Sequence, residues 1–163
     1  MFFVGAKLLT LARGWQDQRA FDTISADLAK LKDDVILSAG SPYSSTTEQS
    51  CSRAHLKFAR GPLVCDTSFE LKYQPGSVEA ANTAVDKINT AIEAKYSISP
   101  ISSSTKFNNT ASKFNPGINY NVELSTSFDC AVVYKLLEVS DLPLMTVELG
   151  CSKGSAKEIY SLK

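Results

Sequence analysis

Two cysteines placed symmetrically about one turn constrain this chain more than any other feature of its sequence. Residues from about 120 to 138 and from 143 to 151 are rich in Val, Leu, Tyr and Thr, and they flank Val139-Ser140-Asp141-Leu142, which predicts an antiparallel hairpin. A reversal centred between Ser140 and Asp141 sets Cys130 opposite Cys151. Opposed residues of such a pair project to the same face and approach closely enough for a disulfide, whereas a one-residue slip sends the sulfurs to opposite faces. Register and cross-link therefore support each other. Closing a loop of about 20 residues stabilises the fold by roughly 3 kcal/mol in the chain-entropy view.

The other two cysteines are Cys51 and Cys65. Alternating residues predict a first hairpin from about 53–59 and 63–73, with Leu63, Cys65, Thr67, Phe69, Leu71 and Tyr73 on one face and Arg60-Gly61-Pro62 as the turn. That turn opposes Cys65 to Leu56, so a bond between Cys51 and Cys65 follows by exclusion, with Cys51 curling back from the preceding loop. The even count of cysteines contains no C-x-x-C, which removes the spacing that zinc ribbons and thioredoxin-like sites require. Neither a metal nor another cofactor is expected. Two disulfides predict an oxidising, extracytoplasmic compartment, the cell surface or a periplasm.

Helical periodicity is plainest from Phe21, where Ile24, Leu28, Leu31 and Val35 continue a 3,4,3,4 spacing with charged residues between them. That pattern predicts one amphipathic helix with a single apolar stripe, ended by Gly40-Ser41-Pro42. Ahead of it, Phe2 to Ala12 is apolar apart from Lys7. This run is much shorter than the roughly 20 residues a spanning helix needs. It is read as the outer end of a longer anchor behind an added Met1, or else as an amphipathic segment packing on its own domain or a partner. Trp15, between Arg13 and Arg19, suits an interfacial position just outside such an anchor. A second helix is predicted from Ser77, a capping residue, to about Lys95, with Val78, Ala81, Val85, Ile88 and Ile92 along one face.

Two polar tracts separate these elements, one running to Ser50 and a longer one over 97–117 dominated by Ser, Thr, Asn and Pro. A loop of that length in a compact domain is functional or disordered. Its aromatic residues, Phe107 and Phe114, must either fold back onto the domain or meet a partner. The organisation expected is an N-terminal helix over 1–40 and a disulfide-bonded α+β domain over 41–163. That domain has a mainly antiparallel sheet of two hairpins with the second helix between them.

Chemistry is sparsely signalled. Gly150-Cys151-Ser152-Lys153-Gly154 matches the letters of a nucleophile elbow, but no histidine follows it, so the acid and base that would activate Ser152 are missing. His55 is the lone histidine and falls out of phase with Leu56 and Phe58. Basic and acidic residues balance at 17 each, so no protein-wide field gathers nucleic acid. No catalytic residue is expected.

The order of apolar helix end, Ala12-Arg13, amphipathic continuation from Gln18-Arg19-Ala20 through Leu31, and then a sheet with a disulfide near the C terminus resembles type IV pilins and pseudopilins. The Gly-Phe-Thr-Leu-x-Glu processing segment of that family is absent. The resemblance implies a non-catalytic exported structural or adhesive subunit. Its N-terminal helix would pack into a filament or membrane, its disulfide would brace the exposed part, and loop 97–117 would serve adhesion or assembly. Two other classes compete with this expectation. One is a membrane-tethered module that recognises a protein or ligand through loop 97–117, with Phe107, Phe114 and Trp15 as contacts. The other is an exported hydrolase.

Overall fold

The computed structural model describes residues 3–56, 59–108, 117–125, 128–139 and 142–153, with side chains described outside 3–17, 53–63, 138 and 139. In chain order the elements are α1 (Phe3–Ala39), β1 (Ser44–Leu56), β2 (Ala59–Tyr73), α2 (Val78–Glu93), β3 (Ser97–Pro100), β4 (Ile118–Glu123), β5 (Asp129–Val139) and β6 (Leu142–Lys153). The fold is α+β, and its first helix is N-terminal. All six strands form one antiparallel sheet in the order β1-β2-β6-β5-β4-β3.

Helix α1 is continuous for 37 residues, a length of roughly 55 Å at 1.5 Å per residue. The stripe expected from its periodicity is the stripe it buries: Phe21, Ile24, Leu28, Leu31 and Val35 are each at most 7 % exposed. Gly40 ends it in the left-handed region at φ 94° and returns its N–H to the carbonyl of Ile36 at 2.9 Å, a termination that glycine adopts without Cβ strain. Ser77 caps α2 by accepting a hydrogen bond from the N–H of Ala80 at 3.1 Å. Both helices pack on the same face of the sheet. Lys32 reaches from α1 to donate to Thr47 Oγ1 at 2.9 Å, and Lys95, just beyond α2, is ion-paired with Asp34 of α1.

Between helices and sheet lies a single core. Cys65, Phe69, Leu71 and Tyr73 of β2 meet Met145, Val147, Leu149 and Cys151 of β6, and Cys130, Val132, Tyr134 and Leu136 of β5 extend the layer towards Ile118, Tyr120 and Val122 of β4. Each fully buried Leu, Ile or Val in such a layer contributes roughly 1.5–3 kcal/mol of apolar transfer. The opposite face of the sheet bears Asp66, Glu70, Lys72, Lys135 and Glu148, none of them buried. This alternation is what a sheet covered on one side requires.

Several boundaries differ from the sequence expectations, each for a physical reason. Residues 44–50, expected as loop, are the first half of β1. They lie at the sheet's edge, mostly exposed on both faces, so no apolar alternation marks them. Arg60-Gly61-Pro62 is not a turn but part of β2, and the chain reverses between Leu56 and Ala59. The pairing shifts register between Arg53 and His55, which is where Gly61 and Pro62 fall on the opposite strand. A bulge accommodates a proline that has no N–H to give to the ladder. The strand expected over 120–138 is two strands, broken between Glu123 and Asp129, and Ser97–Pro100 inside the expected loop pairs with β4. The sheet therefore holds more than two hairpins. A short last strand expected at Ile159–Leu162 lies outside the described residues.

Candidate functional site

Both disulfides are present, and each joins directly opposed residues. Cys130 faces Cys151 across β5 and β6, and Cys51 faces Cys65 across β1 and β2, with Cα separations of 4.0 and 4.1 Å. The first pair has the register expected from its turn. The second replaces the expected opposition of Cys65 to Leu56, because the turn lies nearer the N terminus than Gly61. Thr67 opposes Cys151 on the neighbouring strand, so the two bonds sit near the same end of the sheet and brace four of its strands.

The other singled-out residues that the structure describes fall in different parts of the chain's fold. Phe107 is 3 % exposed and belongs to the core. Its backbone is held on both sides by one side chain of α2, with Asn82 Nδ2 donating to its carbonyl at 3.1 Å and its N–H donating to Asn82 Oδ1 at 2.8 Å. It anchors the loop and presents no tip to a partner. Asn82→Ala should strip both bonds and destabilise the fold by about 1–2 kcal/mol. Faster amide exchange confined to Lys106–Asn108 would confirm the clasp, and unchanged exchange there would refute it. Phe114 lies outside the described residues, as does the side chain of Trp15, whose backbone falls within α1. Ser152 sits in strand β6 where an elbow would need a strand-to-helix turn, and His55 lies in β1.

Buried polar chemistry is concentrated on tyrosines. Tyr134 donates to Asn89 Oδ1 at 2.6 Å and meets Tyr120 edge-on at 6.2 Å between ring centroids. Burial holds the phenol of Tyr134 well above its ordinary pKa, and desolvation also raises Tyr120. Tyr73 is 7 % exposed, its hydroxyl has no hydrogen-bond partner, and desolvation lifts its pKa to about 12. These groups stay protonated near neutral pH, so each hydroxyl keeps a proton to donate and none is a base.

Among the described residues are concave regions open to a ligand. On the outer face of the sheet, Thr46, Glu48, Ser68, Glu70 and Glu148 line a hollow of about 120 Å³. Two of its carboxylates are already paired, Glu70 with Lys72 at 3.0 Å and Glu148 with Lys135 at 3.3 Å. Beneath α1, a groove of about 190 Å³ runs past Leu28, Lys32, Gln49, Thr67 and Phe69. A larger one, about 460 Å³, lies at the end of the sheet where α1 stops and α2 starts, among Ser41, Tyr73, Gln74, Ala84, Lys87 and Met145. Among the described residues no His, Cys, Asp and Glu side chains group as metal ligands, and no helix is long and apolar enough to cross a membrane.

The chain matches no protein family and no curated protein. Among solved structures it is similar to CalU16 from Micromonospora echinospora, at 12% identity over 71% of this chain and 74% of that one, with a TM-score of 0.30. A likeness at that level leaves function to be argued from this chain's own geometry.

Proposed function

We propose that this protein is a non-catalytic, extracytoplasmic structural or adhesive subunit, pilin-like in plan, that assembles through helix α1. The observation that carries this reading is the apolar sequence of α1 ahead of the stripe that packs on the sheet. α1 runs from Phe3, and its buried stripe from Phe21 to Val35 packs against the sheet. The helix ahead of that stripe is roughly 27 Å long at 1.5 Å per residue. Its sequence, Phe3-Val4-Gly5-Ala6 and then Leu8-Leu9-Thr10-Leu11, is that of a helix meant for an apolar neighbour. Two disulfides suit a compartment that is oxidising and a subunit that bears load. The wholly antiparallel sheet they brace leaves one polar face outward.

Sedimentation of the full chain tests the proposal. The unmodified protein should associate with itself, whereas Leu8→Glu with Leu11→Glu should be monomeric and unfold at the same denaturant concentration. A full chain that stays monomeric up to high concentration, or a double variant that associates equally well, would rule out assembly through this helix.

A further inference from the structure

The cavity at the end of the sheet is built differently from the other two hollows, and its construction specifies a ligand. Its floor is Tyr73 and Met145, which are 7 % and 0 % exposed. Ala39, Pro75, Ala80 and Ala84 form its walls, while Ser41, Gln74, Thr83 and Lys87 stand around the mouth. At about 460 Å³ it falls in the range that holds small organic ligands. No Asp or Glu lines it. Thr83 is already engaged, donating to the carbonyl of Glu79 at 2.9 Å.

Two polar groups there can donate to a ligand. The hydroxyl of Tyr73 is buried without a hydrogen bond, and a buried donor left unsatisfied is costly until an acceptor completes it. Lys87 lies three residues beyond Ala84 on the same side of α2 and brings a cation to the rim. A phenol kept protonated by desolvation and an ammonium group both donate. Their common complement is an acceptor that carries negative charge, with an apolar body to cover Met145 and the alanines.

We propose that this cavity binds a small monocarboxylate with a short aliphatic or aromatic body, the carboxylate at Lys87 and Tyr73 and the body against Met145. The site is separate from the Phe3–Ala20 segment of α1, so it stands or falls independently of assembly through that helix.

Titration of the full chain with hexanoate, followed by methyl and amide resonances, provides the test. Saturable shifts should centre on Ala80, Ala84 and Met145, and 1-hexanol, which has the same body without the charge, should bind about tenfold more weakly. Lys87→Ala, on an exposed position, should keep the native spectrum and weaken hexanoate about tenfold. Tyr73→Phe, which removes only the hydroxyl, should weaken it several-fold. Equal affinity for hexanol, full affinity in Lys87→Ala, or the absence of any saturable shift at Met145 up to about 20 mM would overturn the proposal, a millimolar dissociation constant being the weakest that such a contact set predicts.

Discussion

Replacing both Cys130 and Cys151 with alanine should lower the unfolding free energy by about 3–5 kcal/mol, the largest loss expected from removing any one covalent or side-chain pair in this protein. The bond closes a separation of 21 residues, which accounts for roughly 3 kcal/mol of denatured-state entropy. Both cysteines are 2 % exposed within the core layer, so loss of their sulfurs also leaves a small void in that layer. The bond between Cys51 and Cys65 closes a similar separation, 14 residues, yet the same substitution there should move the global midpoint less. It fastens an edge strand whose residues 46–50 are exposed, and such a strand can open locally without carrying the core with it. Denaturant melts of the two double variants, read beside amide exchange over Ser44–Ser50, separate the cases. A Cys130/Cys151 variant as stable as the unmodified chain would mean that the register is held by packing alone.

The contrast between the two bonds also shows what the sequence made legible. Cys130 and Cys151 could be paired from sequence because a two-residue reversal at Ser140-Asp141 and apolar strands on either side leave one register that keeps both faces correct. The same reasoning failed for Cys51 because its strand carries no hydrophobic signal: Ser45, Thr47 and Gln49 share the face of Cys51 but are polar and exposed. Gly61-Pro62 was the strongest turn signal in that region, and it marks a bulge. Helix α1 was readable from Phe21 to Val35 because burial there is periodic. The Asn82 clasp on Phe107 was not readable, since it joins residues 25 apart through an amide that nothing in its neighbourhood distinguishes. The cavity floor was hidden for a similar reason. Tyr73 and Met145 meet only because β2 pairs with β6, a long-range contact that local pattern does not encode. Alternation placed Tyr73 on the core face, but could not indicate that its hydroxyl would go unpartnered.

Leu31→Ala should cost about 3 kcal/mol, whereas Leu37→Ala, six residues further along the same helix, should cost less than about 0.5 kcal/mol. The side chains are identical and differ only in where the helix turns them: Leu31 is 1 % exposed and Leu37 is 87 % exposed. Leu31 sits mid-stripe between Leu28 and Val35, both at most 2 % exposed, so the void left by truncation has no flexible neighbour to fill it. Equilibrium unfolding of each variant, followed both by helix signal and by tyrosine fluorescence, decides more than the two values. If α1 is an integral layer of the fold, both probes shift together for Leu31→Ala. A helix signal that melts early while the tyrosines of the sheet remain native would make α1 an appendage. That distinction bears directly on the proposed assembly through α1, because a helix engaged by neighbours at Leu8 and Leu11, as that proposal has it, would transmit load into the disulfide-braced sheet only if Phe21 to Val35 unfolds with it.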